Sequence, residues 1–159
     1  LKRRTPQNIV IGGAAGAFPP IIGWVVMTES ISLLPIILFI IIFLWTPPHF
    51  WSLALVKTED YKKANIPMMP NVVGESSTKN QILFYSFLLL ISSLSPFILG
   101  LTGYIYFFGS VTMSLGFCFL SIGLIILPNR KLEIPLFVYS IFYLFGIFVF
   151  LVIDKYFVV

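Results

Sequence analysis

The stretch SLLPIILFIIIFLWTPPHFWSLALV, residues 32–56, carries no Asp, Glu, Lys or Arg. A helix that crosses a bilayer needs about 20 mostly apolar residues, and this stretch exceeds that length. Only helices and closed barrels satisfy their backbone hydrogen bonds in lipid. A long run without alternation of apolar and polar residues favours a helix over a barrel strand. We therefore predict a transmembrane helix from about Ser32 to Val56.

The rest of the chain has the same character. Hydrophobic residues make up 58% of the sequence, charged residues only 10%, and the mean hydropathy is +1.01. A soluble domain carries about 25% charged residues, so the composition indicates an integral membrane protein. Four more apolar runs extend over about Pro6 to Met27, Asn80 to Leu99, Gly103 to Leu127 and Ile134 to Ile153. The sequence predicts one all-α domain over residues 1–159, a polytopic membrane bundle of five transmembrane helices.

The basic residues predict how this bundle is oriented. Five spans place the two chain ends on opposite sides of the membrane. One side then receives nine of the ten basic residues: Lys2, Arg3, Arg4, Lys57, Lys62, Lys63, Lys79, Arg130 and Lys131. Only Lys155 falls on the other side. Because Lys and Arg accumulate in cytoplasmic loops, we predict that the nine-residue side is cytoplasmic and expect no nucleic-acid partner.

Two kinds of residue that are missing or rare in the sequence reduce the number of possible functions. Residues 80–129 contain no Asp, Glu, Lys or Arg, whereas transporters usually place ionisable residues inside the membrane. This argues against a transporter. The lone Cys118 excludes an internal disulfide, and we expect it to pack in its apolar run.

The loop at about residues 57–79, directly after the opening stretch, gathers the charge. Its sequence KTEDYKK holds Glu59 and Asp60 between Lys57, Lys62 and Lys63. Carboxylates can hold Mg²⁺ together with substrate phosphates, and lysines can neutralise phosphate charge. If helix continues past residue 56, the single His49, Leu53, Val56 and Asp60 share one face, with His49 about 16 Å deeper than Asp60. The alternative is an exposed ion pair of Asp60 with Lys63.

Other features of the first two spans also leave two interpretations open. His49 can form a hydrogen bond to a neighbouring helix or contact an iron porphyrin or its propionates. The segment GGAAGAFPP, residues 12–20, allows close helix packing or leaves room for a bulky ligand. Its two prolines should break or kink the first span, and Pro47-Pro48 should distort the second. Trp24, Trp45 and Trp51 are expected near the membrane interfaces.

These motifs together closely resemble the protohaem IX farnesyltransferases (haem O synthases), a family of UbiA-like intramembrane prenyltransferases. The resemblance rests on GGAAGAFPP at residues 12–20, TPPHFW at residues 46–51 and EDYKKANIPM at residues 59–68, and it is dense up to about Gly74. It implies a nine-helix bundle in which two acidic motifs bind Mg²⁺-diphosphate. The first motif has no counterpart here, and the five spans correspond to helices five to nine. The chain, which begins at Leu1 rather than Met, is therefore expected to be a fragment that lacks an amino-terminal half and is inactive alone.

The resemblance also implies roles for individual residues. Asp60, with Glu59 as a weaker candidate, is predicted to bind Mg²⁺ and act in catalysis. Lys57, Lys62, Lys63, Arg3 and Arg4 are predicted to bind diphosphate or haem propionates, and His49 is predicted to contact haem. The position four residues after Asp60 is Ala64 instead of a second aspartate, which favours the haem branch over quinone-prenylating relatives.

The implied reaction transfers farnesyl from farnesyl diphosphate to a vinyl group of haem B and gives haem O. The expected location is the bacterial plasma membrane, with the mitochondrial inner membrane as the alternative. Two rival functions remain open at this point. One is a UbiA-type enzyme acting on an aromatic or quinone precursor, and the other is a haem-binding membrane protein without catalysis.

Overall fold

The computed structural model of this chain describes Thr5, residues 7–127 and residues 131–157. The described residues form eight helices. In chain order they are α1 (Asn8–Ala17), α2 (Pro19–Thr28), α3 (Leu33–Val56), α4 (Thr58–Lys63), α5 (Met69–Val73), α6 (Glu75–Ile98), α7 (Tyr104–Ile126) and α8 (Glu133–Phe157).

Five segments of the described chain are long and apolar enough to cross a membrane. They are Asn8–Thr28, Leu33–Val56, Glu75–Ile98, Tyr104–Ile126 and Glu133–Phe157. Each overlaps one of the five predicted spans, so the prediction of an all-α polytopic bundle is confirmed. The short helices α4 and α5 lie in the predicted charged loop.

The two proline pairs behave differently. The first span breaks at Phe18, because Pro19 and Pro20 occupy the first turn of α2, where a missing backbone donor costs nothing. That break was predicted. The expected distortion at Pro47 and Pro48 does not interrupt the second span, since α3 stays helical from Leu33 to Val56.

Helix α3 is the centre of the bundle and packs against α1, α2, α5, α6 and α8. Polar side chains tie the other helices together inside the apolar core. The Ser86 and Ser121 hydroxyls lie 2.8 Å apart between α6 and α7, and the Tyr143 hydroxyl of α8 contacts Ser93 of α6. Cys118 is buried in this region, as predicted. Such bonds suit a membrane interior, where an unpaired polar group is costly.

The contact between α7 and α8 depends on glycines. A Cβ atom at Gly116 would collide with the Tyr139 hydroxyl, and one at Gly109 would collide with the Phe150 ring. The Tyr139 hydroxyl is held in place because it donates to the Met113 carbonyl, at 3.0 Å. The two helices therefore approach closely only where α7 lacks a side chain.

We predict that Gly116→Ala weakens the bundle by about 1–3 kcal/mol, the usual cost of overpacking a filled interior. The thermal unfolding midpoint in detergent measures the effect. Gly12→Ala is the matched control, because a Cβ at Gly12 meets no atom within 4 Å. Equal midpoints for the two variants would contradict the close approach.

Contacts between helix ends show that α6, α7 and α8 alternate in direction. At one end Lys79, near the start of α6, pairs with Glu133 at the start of α8, with Nζ and Oε1 3.3 Å apart. At the other end Asp154, near the end of α8, accepts hydrogen bonds from the backbone N–H groups of Gly103 and Tyr106 at the start of α7, at 2.6 and 3.1 Å. The charged loop therefore lies at the Lys79 end.

Candidate functional site

A cavity of about 480 Å³ opens between α1 and α3. Its side walls come from these two helices, and one end is formed by residues of the charged loop: Tyr61 of α4, and Ile66 and Met68 of the segment that follows α4. The residues around it are Asn8, Ile9, Gly12, Gly13, Gly16, Ile42, Trp45, Thr46, Phe50, Tyr61, Ile66 and Met68. The cavity is mostly apolar and lies beside the segment that carries Asp60.

The glycines of α1 bear on both interpretations that the sequence left open. A Cβ at Gly13 would lie 2.8 Å from the Thr46 methyl carbon, so this glycine lets α1 pack tightly on α3. Gly12 and Gly16 line the cavity, and a Cβ at either position meets no atom within 4 Å. Gly13 provides helix contact, and Gly12 and Gly16 border open space in the cavity. A role of that space in holding a bulky ligand stays a prediction.

The charged loop corrects one expectation about geometry. Helix α3 ends at Val56, Lys57 leaves the helical conformation with φ −101° and ψ 20°, and α4 begins separately at Thr58. His49 and Asp60 therefore do not share one continuous helix face. Leu53 and Val56 are not among the cavity-lining residues either.

Asp60 and Glu59 are exposed in the first turn of α4. The Asp60 carboxylate lies 3.3 Å from the Lys57 Nζ, and the two side chains are 66% and 56% exposed. The ion pair thus uses Lys57 instead of the expected Lys63. An exposed pair of this kind contributes little to stability, about 0–1 kcal/mol, so it is easily exchanged for a ligand.

The side chains available to bind a metal can be compared with the ligands that Mg²⁺ requires. In the described part of the chain, no group of three or more His, Cys, Asp or Glu side chains could hold a metal ion. Mg²⁺ is often bound by one or two carboxylates, with substrate phosphates and water completing its octahedron. Asp60 and Glu59 fit such a site, provided that a diphosphate supplies the other oxygens.

The other predicted anion-binding residues are only partly described. Lys62 and Lys63 are exposed in the last turn of α4, on the same short helix as Asp60. Arg3 and Arg4 lie outside the described residues. The structure thus groups three lysines and two carboxylates on residues 57–63, next to Tyr61 at one end of the cavity. None of these five side chains is among the cavity-lining residues.

His49 is held inside the bundle, away from the cavity lining. It is 8% exposed, and its Nδ1 lies 2.6 Å from the Ser140 hydroxyl of α8. Its ring stacks on Trp45 and Phe137, with centroids 4.2 and 4.7 Å apart. The interhelical hydrogen bond is the simpler of its two interpretations, and a haem contact stays a prediction.

Trp45 is the residue that sequence reasoning placed wrongly. It lies near the middle of α3, about 16 Å from the Val56 end at 1.5 Å per residue, and not at a membrane interface. Its indole N–H donates to the Ser140 carbonyl at 2.7 Å, and its ring lines the cavity. The one sequence feature that could have indicated a role for Trp45 was the TPPHFW motif, which begins at the next residue.

Together, the five apolar spans define a multi-pass membrane protein, in which an apolar cavity lies beside a segment that carries carboxylates and lysines. Residues 1–151 match the UbiA prenyltransferase family. The chain belongs to this family.

Several similar proteins carry the name protoheme IX farnesyltransferase. The one from Erythrobacter litoralis is 53% identical over 161 aligned positions, which cover 98% of this chain and 52% of that protein. The proteins from Rhizobium meliloti and Thioalkalivibrio sulfidiphilus are 52% and 49% identical, over 97% and 98% of this chain and 50% and 52% of their own lengths. This chain thus spans about half the length of the curated relatives it matches. No solved structure matches it.

Proposed function

We propose that this chain forms part of an enzyme that transfers farnesyl from farnesyl diphosphate to a vinyl group of haem B, releasing diphosphate and giving haem O. The observation that carries the proposal is the roughly 50% identity, over almost the whole chain, to proteins named protoheme IX farnesyltransferase. The apolar cavity beside a charged helix supports it, because the donor has an anionic head and an apolar chain.

In the proposed reaction the allylic carbon–oxygen bond of the donor breaks and diphosphate leaves with the bonding electrons. The terminal vinyl carbon of haem B forms the new carbon–carbon bond, and water adds to the other vinyl carbon with loss of a proton. The α1–α3 cavity suits the first step, because apolar walls keep water from the allyl cation until the new bond has formed.

The charged groups of α4 are proposed to hold the leaving group. Asp60, assisted by Glu59, would bind Mg²⁺, which when present stabilises the charge that develops on diphosphate. Lys57, Lys62 and Lys63 would neutralise the remaining phosphate charge. This role requires Asp60 to leave its ion pair with Lys57, and the exposure of both partners makes that exchange cheap.

We also propose that the α4 end of the bundle faces the cytoplasm and that the membrane is a bacterial plasma membrane. Lys57, Lys62, Lys63 and Lys79 lie in or beside the loop at this end, whereas Lys155 lies at the opposite end, bonded to the Leu101 carbonyl. This distribution follows the preference of basic residues for the cytoplasmic side.

Haem extracted from membranes tests the function directly. The membranes come from an expression host that lacks its own haem O synthase. This host produces either this chain alone or the full-length polypeptide. The full-length polypeptide is the chain extended through its reading frame to the length of its relatives. We expect the mass of haem O from the full-length form only. Haem O from the chain alone would refute the need for the other half.

A full-length form that is present in membranes without making haem O would overturn the proposed function. Supplying an aromatic or quinone precursor with the prenyl donor would then identify the acceptor class. A haem spectrum that changes in His49→Ala but not in Asp60→Asn, with no prenylated product, would instead indicate a non-catalytic haem binder.

A further inference from the structure

A second apolar space lies on the other side of Trp45. This groove, of about 380 Å³, is lined by Trp45 and by one stripe of α8: Ile141, Leu144, Phe145 and Phe148. Trp45 lines both this groove and the α1–α3 cavity. Its side chain is therefore the wall that the two spaces share.

The Trp45 ring is fixed by two direct contacts with its surroundings. The indole N–H donates to the Ser140 carbonyl at 2.7 Å, and the ring stacks on His49 at 4.2 Å with an interplanar angle of 18°. His49 is in turn held by the Ser140 hydroxyl and stacks on Phe137. A wall tied to α8 in this way does not swing aside readily, because both its polar and its stacking contacts must break first.

The remaining cavity walls restrict how far a chain can extend. Starting from Tyr61 at the charged end, the cavity reaches Gly16 on α1 and Ile42 on α3, the deepest lining residue of each helix. Beyond Trp45 the groove continues along two turns of α8, from Ile141 to Phe148. Removal of the indole would join this groove to the cavity and give a longer ligand more room.

We propose that Trp45 sets the length of the prenyl chain that the cavity accepts, by closing it off from the α8 groove. This inference rests on the proposed function, in which the donor's diphosphate lies at α4 and its apolar chain lies in the cavity. Trp45 is a specificity-determining residue in this account and takes no part in the chemical steps.

The test compares donors in membranes that contain the full-length polypeptide and haem B. Farnesyl diphosphate is measured against the donor one isoprene unit longer and the donor one unit shorter, and the products are identified by mass. In Trp45→Ala we expect kcat/KM for the longer donor, relative to farnesyl diphosphate, to rise at least about tenfold, since apolar pockets discriminate added carbons by roughly 10–200-fold. Trp45→Phe, which keeps an aromatic wall, should retain the farnesyl preference.

Gly16→Leu should shift the donor preference in the opposite direction. A Cβ atom at this position meets no atom within 4 Å. We expect the rest of the leucine side chain to fill the far part of the cavity, so the preference should move toward the shorter donor. Should Trp45→Ala fail to accumulate in membranes, the milder Trp45→Leu answers the same question.

The outcomes separate this inference from the function it rests on. Haem O from the wild-type protein, with relative donor preferences unchanged in the Trp45→Ala or Trp45→Leu protein that accumulates, would overturn the role of Trp45 and leave the proposed function standing. No farnesylated haem from the wild-type protein would overturn the proposed function and the inference with it.

Discussion

Replacing Asp60 by Asn in the full-length polypeptide is expected to lower haem O formation by roughly 100-fold or more, the scale seen when a group that stabilises a developing charge is removed. Asn keeps the size of Asp but supplies no negative charge to bind Mg²⁺. The amount of protein in the membrane should stay near the wild-type level, because the Asp60–Lys57 pair is exposed and contributes little to folding. Product mass and protein level are measured in the same membranes.

Glu59→Gln is the matched control for this prediction. It removes the neighbouring carboxylate, and adjacent residues on a helix point about 100° apart, so one carboxylate should dominate. We expect a smaller loss of product in this variant than in Asp60→Asn. Near-normal haem O from Asp60→Asn would refute the assignment of Asp60 to the metal, and a larger loss in Glu59→Gln would transfer that role to Glu59.

The fold was predictable because few backbone structures satisfy their hydrogen bonds inside a lipid bilayer. Once residues 32–56 are assigned to a spanning helix, length and charge place the other four spans, and the structure confirms all five. The break at Phe18 was also predictable from the local sequence, because Pro19 and Pro20 fit the first turn of a new helix. The end of the second span at Val56 was predicted. The interruption at Lys57 that separates α3 from α4 was not, because KTEDYKK has no proline or glycine to mark a boundary before Thr58.

The candidate site was predictable only where the chemistry lies within one segment. Glu59, Asp60 and the three lysines are close together in sequence, so their grouping in the loop after the second span followed from the sequence alone. The bond between Trp45 and Ser140 joins residues 95 positions apart, and no local pattern indicates it. His49 was noticed because it is unique, but its Ser140 and Phe137 partners depend on how α8 packs against α3.

Asp154 is the clearest case of a residue that only the structure explains. Its carboxylate is 1% exposed and lies in the last turns of α8, where the dipole of its own helix disfavours a negative charge. Both oxygens accept backbone N–H groups at the start of α7, from Gly103 at 2.6 Å and Tyr106 at 3.1 Å. The first N–H groups of a helix lack partners within that helix, so α8 caps α7.

We expect Asp154→Asn to destabilise the bundle by about 2 kcal/mol, since hydrogen bonds to charged groups contribute about 1.5–3 kcal/mol. The amide has one acceptor oxygen where the carboxylate has two, and its NH₂ group would face a buried backbone donor. A lower thermal unfolding midpoint in detergent, measured on the full-length polypeptide, reports the loss.

Asp60→Asn is the matched control for this last prediction, because it makes the same chemical change at an exposed carboxylate at the opposite end of the bundle. The two variants should therefore lose different properties, one its stability and the other its activity. Asp154→Asn should lower the midpoint while the folded protein still makes haem O, and Asp60→Asn should lose haem O at an unchanged midpoint. An unchanged midpoint in Asp154→Asn would mean that the cap adds nothing to stability, and that packing alone holds α7 against α8.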